Sequence, residues 1–251
     1  MLKIILSGCN GKMGRVITDI VNKRNDASIV AGVDLDISQN GPYPVFNNFR
    51  DITCDADVII DFSNPAVLSS MLDFAKEKKM PVVVSTTGFS DEQISDIKSS
   101  SAEIPVFFSF NMSLGINLLA ELCRKAAAIL EGFDIEIIEK HHNQKIDAPS
   151  GTAILLANEI NDELKGKMEY EYDRHSKREK RKENEIGIHA VRGGTIVGEH
   201  EVIFAGRDEI ITLSHSARSK EVFAVGAVNA AFFLKGKSAG MYSMKELVAE
   251  K

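Results

Sequence analysis

The sequence predicts an α/β protein: an N-terminal Rossmann-type domain with a parallel sheet, joined to an α+β domain with an open mixed sheet. Three observations carry this prediction. From Leu2 to about Asn111, short apolar runs alternate with amphipathic stretches, the pattern of consecutive βαβ units. Those runs are apolar along most of their length, as expected of strands buried on both faces. Beyond Asn111 the pattern changes to one long helix followed by strands of alternating character.

Leu2 to Ser7 is the first apolar run, and Gly8 to Gly14 is the glycine-rich turn that follows. Arg15 to Lys23 reads as a helix with Val16, Ile17, Ile20 and Val21 on one face. Ser28 to Val33 and Asp57 to Phe62 are the next strands. Asn64-Pro65 opens a helical stretch carrying Val67, Leu68, Met71, Leu72 and Ala75, and Pro81 to Val84 and Pro105 to Phe108 follow as strands. Leu114 to Leu130 reads as a long helix, Phe133 to Glu139 as a strand with Ile135 and Ile137 alternating, and Thr152 to Leu164 as a helix. Glu185 to Arg192, Gly198 to Ala205 and Glu209 to His215 read as strands. Glu221 to Phe233 is helical again, with Val225, Val228 and Phe232 at helical spacing. No separate core is left for it, so it is expected to return to the first domain. The expected domains are therefore 1–111 with 220–251, and 112–219. No internal repeat is visible.

Composition narrows the function. Of the 251 residues, 44 % are hydrophobic and 26 % charged, which excludes a disordered or fibrous protein. A net charge of −6 argues against a dedicated nucleic-acid binder. The basic run from Arg174 to Lys182 lacks interleaved aromatics and is flanked by Asp173 and Glu183, so it reads as a solvated loop. The three cysteines, Cys9, Cys54 and Cys123, are widely spaced with no CxxC pair, which suggests neither a zinc knuckle nor a disulfide framework. Reduced thiols point to the cytoplasm. No apolar run approaches the ~18 residues needed to span a bilayer, so no membrane association is expected. Met1 to Ile4 runs straight into a strand, leaving no room for a signal peptide.

The first chemical motif is Gly8-Cys9-Asn10-Gly11-Lys12-Met13-Gly14, between a strand and a helix. Glycines there permit a tight turn and close approach to a pyrophosphate, and the helix start offers N–H groups and a positive dipole end. Asp34, closing the second strand, can accept hydrogen bonds from ribose hydroxyls. The pattern is G-x-x-G-x-x-G: Asn10 stands where the middle glycine of the usual fingerprint would be. Two further loops, Ser85-Thr86-Thr87-Gly88 and Ser109-Phe110-Asn111-Met112, follow strands of the same sheet and fall on its ligand-binding side.

The strongest signal runs from Glu139 to Thr152, E-K-H-H-N-Q-K-I-D-A-P-S-G-T, leaving a strand and entering a helix. Ser150 is an N-cap candidate, and Gly151 and Thr152 would present first-turn N–H groups, a second anion site suited to a carboxylate. His141, His142 and Lys145 add three cationic donors within five residues, as a small dianionic substrate would need. Histidine can also exchange protons near neutral pH. A zinc site is disfavoured, because adjacent histidines in extended chain point to opposite faces and no Cys or HxxxH spacing supports it.

These residues closely resemble the signature of the 4-hydroxy-tetrahydrodipicolinate reductases, formerly called dihydrodipicolinate reductases. The resemblance runs from about Leu2 to about Leu247 and includes Asp61-Phe62-Ser63, the two loops above, and Arg192-Gly193-Gly194-Thr195-Ile196-Val197-Gly198-Glu199-His200. It implies reduction of the cyclic imine product of dihydrodipicolinate synthase to tetrahydrodipicolinate, with loss of water and hydride from NADH or NADPH. It implies a cofactor domain, a substrate-binding and oligomerisation domain inserted before the last helix, a hinge, and a homotetramer built through the second sheet. His141 matches the family's catalytic histidine and Lys145 its catalytic lysine. His142, Gly151 and Thr152, with Ser150 at the head of that turn, match the groups that hold the substrate carboxylates. Gly8, Cys9, Asn10, Gly11, Lys12, Met13, Asp34, Ser85, Thr86, Thr87, Ser109, Phe110, Asn111 and Met112 match the cofactor contacts; no metal is implied.

Three departures stand out. Ser85 replaces a glycine common in the family, Asn143-Gln144 replaces a more basic pair, and Leu35 follows Asp34 where some members carry an arginine that could hold the 2′-phosphate of NADP. The last leans the chain towards NAD, with Lys12 as a partial substitute. The alternatives are another two-domain nicotinamide oxidoreductase, or a dinucleotide-binding redox sensor without turnover. A thioester-forming dehydrogenase would need a cysteine near its nicotinamide, and Cys9 and Cys123 are poorly placed for that. A sensor has no need for His141, Lys145 and the Ser150 turn together.

Overall fold

The computed structural model describes residues 1–37 and 42–250. In chain order the elements begin with β1 (Leu2–Ser7), α1 (Lys12–Asn22), β2 (Ala27–Val33), β3 (Val45–Phe46), β4 (Val58–Asp61), α2 (Leu68–Lys78), β5 (Val82–Val84), α3 (Asp91–Ser100) and β6 (Pro105–Phe108). They continue with α4 (Leu114–Ile129), β7 (Asp134–His141), α5 (Gly151–Glu163), β8 (Glu169–Glu171), β9 (Glu185–Arg192), β10 (Gly198–Ala205), β11 (Ile210–Ala217), α6 (Glu221–Phe233), β12 (Gly240–Tyr242) and α7 (Met244–Ala249). Two compact units result, Met1–Leu114 with Glu221–Lys251, and Gly115–Lys220.

The first unit is built on a parallel sheet in the order β12-β6-β5-β4-β1-β2-β3. Its central strands are buried on both faces, whereas the edge strands β3 and β12 are only partly covered. Ile4, Leu6, Val58, Ile60, Val83 and Phe107 belong to one core with α1, α6 and α7. Ile5, Ile59, Val82, Val84 and Val106 belong to a second core with α2 and α3. Ala224, Ala227, Val228, Ala230 and Ala231 of α6 fill the first of these cores.

Several elements escape the sequence pattern. No helix is expected between Val84 and Pro105, yet α3 forms there. A capping box starts it: Ser90 Oγ accepts the Gln93 N–H at 3.3 Å, and Gln93 Oε1 accepts the Ser90 N–H at 3.0 Å. Ile97 is its only buried apolar residue, so periodicity could not reveal it. The short strands β3, β8 and β12 lack the length for an alternation signal. Near the C-terminus, α7 again begins with a capping box, Ser243 to Glu246. The first helix starts at Lys12, earlier than the expected Arg15, because Gly11 already takes the N-cap conformation.

The second unit has a mixed five-stranded sheet in the order β11-β10-β7-β9-β8. Here β10 runs antiparallel to both β7 and β11, whereas β9 pairs in parallel with β7 and β8. One face carries Ile135, Ile137, Ile186, Ile188, Val202 and Phe204 against α4 and α5. The basic run at 174–182 is more than a solvated loop. Arg181 pairs with Asp134 at 2.8 Å and Glu136 at 3.1 Å, and donates to the carbonyls of Ile135 and Glu185. Arg174 pairs with Glu185 and Lys177 with Glu171. These cations are spent on the unit's own sheet. No helix among the described residues is long and apolar enough to cross a membrane.

Candidate functional site

Each unit carries its own candidate ligand site. In the first, β1 lies between β2 and β4, the point where the strand order reverses. Open α/β sheets bind ligands beyond the carboxyl ends of strands at such a point. A cavity of about 520 Å³ opens there, with Gly8, Asn10, Asp34, Leu35, Phe62 and Ser63 on its walls.

Gly8 has a φ of +76°, in the left-handed region that favours glycine, and a Cβ on it would lie against the Phe62 backbone. At Gly14 a Cβ would strike the carbonyl oxygens of Gly8 and Cys9. The turn therefore admits no side chains at these positions and exposes backbone to a ligand. The following helix has no side-chain cap and no acidic residue in its first turn, so its positive end is left for an anion. A pyrophosphate fits this cradle.

Asp34 Oδ2 accepts the Asn10 N–H at 2.9 Å, and Oδ1 accepts the Asp36 N–H at 3.2 Å. The Asn10 side chain donates to the Asp36 carbonyl, and Arg15 Nε donates to the Asn10 carbonyl at 3.1 Å. The departure from glycine at residue 10 thus ties the turn to the chain beyond β2. Leu35 is 91 % exposed and Lys12 is exposed. The Cys9 side chain turns into the core, where burial pushes its thiol up to about 11. Met112 is also buried in that core. Only backbone groups of these two are left for a ligand.

The other two predicted loops are each held by side-chain hydrogen bonds. Thr86 Oγ1 accepts the Ser63 N–H at 2.8 Å, and Ser63 Oγ donates to Asp61 Oδ1 at 2.5 Å. Burial raises the Asp61 carboxyl, ahead of the hydroxyl bonds that oppose it. Ser85 is buried and its hydroxyl has no partner, whereas Thr87 is exposed. Ser109 Oγ donates to the Asn111 carbonyl at 3.2 Å, Asn111 Oδ1 accepts the Ser113 N–H at 2.8 Å, and Phe110 is exposed.

The second site lies in the other unit, where β7 runs out at His141. The strand reaches two residues beyond the expected Glu139, so His141 is a strand residue. It is buried, and its neighbour His142 is half-buried. The loop after it is pinned to the Gly193-Gly194 turn: Gly193 N–H donates to the His141 carbonyl at 2.9 Å and Asn143 N–H to the Gly194 carbonyl at 3.2 Å. Lys145 Nζ lies 2.6 Å from Asp147 Oδ1. That ammonium, first of several groups, holds the Asp147 carboxyl below its ordinary value. Ser150 caps α5, its Oγ accepting the Ala153 N–H at 3.2 Å. No acidic residue follows in the first turn, and Gly151 is exposed. The helix start is formed, and its Gly151 N–H faces the Asp147 carboxyl.

Sequence reasoning assigned no role to three residues that hold this site together. Glu139 is fully buried. It accepts from Arg192 Nη1 at 2.7 Å and Nη2 at 2.6 Å, and from the Ser150 N–H at 2.9 Å, while His141 Nδ1 lies 2.7 Å away. Burial alone would raise this carboxyl, but those hydrogen bonds outweigh it and hold the group below the usual carboxylate range. Arg192 also donates to the Asp147 carbonyl at 2.6 Å. His200 Nε2 lies 3.0 Å from Ser150 Oγ, and its ring meets that of His141 edge-on at 5.2 Å. Glu139 opens the run to Thr152 and Arg192 opens the run to His200, but only the β7–β9 pairing brings them together. Among the described residues no cluster of three or more His, Cys, Asp or Glu is arranged to hold a metal ion.

His200 gives the second unit a pH signature. Burial, reinforced by His141, lowers it from 6.5 to about 4. A group depressed in the folded state stabilises fully above its unfolded value and loses that contribution as pH falls through its folded value. The unit should therefore lose ~3 kcal/mol between about pH 6.5 and 4 from this residue. Urea titrations followed by circular dichroism across that range should show the slope, and His200→Gln should flatten it; an equal slope in both proteins would refute the assignment.

Comparison with known proteins follows the same division. The family model described as dihydrodipicolinate reductase, N-terminus, matches residues 2–112, and that described as dihydrodipicolinate reductase, C-terminus, matches residues 115–248. A curated 4-hydroxy-tetrahydrodipicolinate reductase of Caldanaerobacter subterraneus is 52 % identical over 248 residues, covering 99 % of this chain and 98 % of that protein. One from Clostridium tetani is 53 % identical over 247 residues, covering 97 % and 96 %. Among solved structures, a dipicolinate-bound dihydrodipicolinate reductase from Paenisporosarcina sp. TG-14 superposes with a TM-score of 0.82 at 25 % identity, covering 98 % of this chain and 99 % of that one.

Proposed function

The chain belongs to the dihydrodipicolinate reductase family, and from that premise we propose that it reduces 4-hydroxy-tetrahydrodipicolinate to tetrahydrodipicolinate with NADH or NADPH, releasing water, on the diaminopimelate route to lysine. One hydride and one proton are taken up and one water leaves. The observation that carries the reading is the pairing, in one chain, of a glycine cradle before an uncapped helix with a second, cation-lined carboxylate site.

The cofactor, when bound at the glycine turn, supplies the hydride. Gly8, Gly11 and Gly14 with the start of α1 take its pyrophosphate, and Asp34 takes a ribose hydroxyl. Ser85, Thr86, Thr87 and the 109–112 loop serve the nicotinamide end. On the substrate, a dicarboxylate, one carboxylate is held by the first-turn N–H groups of Gly151 and Thr152 and the other by His142. Negative charge builds in the ring as it is reduced, and Lys145 and His141 are the groups that neutralise and protonate it.

Consumption of reduced nicotinamide, with substrate generated by a dihydrodipicolinate synthase, tests the reaction. Rapid oxidation is expected. A folded protein that binds the cofactor yet oxidises none would leave the redox-sensor reading in its place.

Cofactor choice follows from residues 34 to 36. Asp34 would face the ribose and Leu35 offers no charge, so a 2′-phosphate gains no counter-ion from these residues, leaving only Arg15 on the cavity wall and exposed Lys12. A preference for NADPH above about tenfold in kcat/KM, ~1.4 kcal/mol, would refute this lean towards NADH. Leu35→Arg is expected to shift the ratio towards NADPH by about tenfold, the effect of one charge-assisted contact.

The protein works as a homotetramer in this reading, joined through the second sheet. The face of that sheet turned away from α4 and α5 carries half-buried Ile138 and Ile203 and exposed Val191 and Ile210, an apolar set suited to a partner. A stable monomer in light scattering would contradict this. A cytoplasmic location belongs to the same reading, supported by three free cysteines.

A further inference from the structure

Two motif ends that the reaction scheme leaves unused, Glu139 and Arg192, form the most deeply buried charged pair of the second unit. We propose that Glu139 is the positioning residue of the site: it holds the proton of His141 on Nδ1, keeps Nε2 as the nitrogen turned to the substrate, and locks the carboxylate-binding turn at Ser150 to the same anchor. The proposal rests on the reading of His141 as a proton-handling group.

The geometry supports it from four sides. A carboxylate only accepts, so the 2.7 Å contact between Glu139 Oε2 and His141 Nδ1 requires the imidazole proton on Nδ1. Its other oxygen accepts the Ser150 N–H at 2.9 Å, so one rigid group sets both the histidine ring and the start of α5. Arg192 grips both oxygens, which stops the carboxylate from rotating and supplies the counter-charge that a fully buried anion needs.

The fourth support is Gly198, on the neighbouring strand. A Cβ there would lie 3.1 Å from His141 Nε2 and 3.4 Å from Cδ2. Glycine keeps the second nitrogen uncovered while Glu139 secures the first. Carboxylates that orient a histidine through one nitrogen, leaving the other to act, are a recurrent device in acid–base catalysis.

Other groups around the ring do not compete for Nδ1. His200, on β10, presents Nε2 to Ser150 Oγ. His215 pairs in register with His200 on β11, and Lys145 is paired with Asp147. Glu139 is the acceptor at Nδ1.

Nitrogen-15 spectra of the full-length protein, labelled in histidine and recorded at about pH 8.5, above the ordinary histidine range, test this directly. The His141 signal is identified by its loss in His141→Gln. A proton on Nδ1 in the wild type is expected; a proton on Nε2 with Nδ1 bare would overturn the proposal without any variant. In Glu139→Gln the Arg192 guanidinium claims the amide oxygen, so the amide NH₂ turns to the ring. The proton should move to Nε2, with kcat lower by about a hundredfold and NADH affinity, read by fluorescence, within about twofold. An unmoved proton and kcat within about threefold would overturn the proposal. Full turnover in His141→Gln would overturn the premise that His141 handles the proton, a failure distinct from finding that proton on Nε2.

Discussion

Lys145→Ala is expected to lower kcat by a hundredfold or more while leaving NADH affinity unchanged. The ammonium is held by one carboxylate at the end of a loop whose backbone is itself tied down. Its loop is closed by the Lys145 N–H to the His142 carbonyl at 3.1 Å and tied to the Gly193-Gly194 turn. Its side chain is 21 % exposed and paired to Asp147 at 2.6 Å. A cation held in place neutralises charge in the transition state without paying to reorganise, and a positioned acid contributes about 10² to 10⁴ in rate. Lys145→Arg keeps the charge on a longer, planar group that yields no proton, so it should recover substrate affinity more than kcat. Steady-state kinetics with both cofactors would read this. Full turnover in Lys145→Ala would move the chemistry to His141 alone, and His141→Gln should then carry the whole loss.

Arg192→Met is expected to destabilise the second unit by about 3–5 kcal/mol, because it strips a fully buried carboxylate of its guanidinium. Glu139 would keep only the His141 and Ser150 contacts. The loss should be largest above the ordinary carboxylate range. A carboxyl whose folded value is depressed contributes stability that is present at high pH and lost as pH falls through that value. Removing Arg192 raises the folded value and erases the contribution. Replacing both partners, Glu139→Gln with Arg192→Met, should cost less than Arg192→Met alone, since no uncompensated charge then remains buried. Urea denaturation with hydrogen exchange across 115–220 would separate this unit from the other. A loss below about 1 kcal/mol would show that water or a neighbour takes over the guanidinium's role.

Much of the fold was legible because its cores are simple. Leu2 to Ser7 and Pro105 to Phe108 coincide with their strands, and Glu221 to Phe233 with its helix, because long apolar runs have one favourable place to go. Helix α3 was invisible to periodicity, since a helix lying on the surface with only Ile97 buried on its apolar side needs no stripe. The capping box at Ser90 was the available signal. Likewise Arg181 read as part of a solvated loop because cations are usually solvated; its partners Asp134 and Glu136 are far away in sequence.

By itself the sequence determined the fold class, the glycine cradle, Asp34 and the identity of the run from His141 to Thr152, because these depend on local backbone chemistry and on neighbours within one turn or strand. Tertiary structure alone decided which of those residues offer side chains and which offer only backbone, as with Cys9 and Met112 turned into the core. It also decided that Glu139, Arg192, Ser150 and His200 meet. Strand pairing brings residues some fifty positions apart into hydrogen-bonding distance in a desolvated place, where an unpaired charge is too costly to persist, and no local pattern records which distant partner will be there.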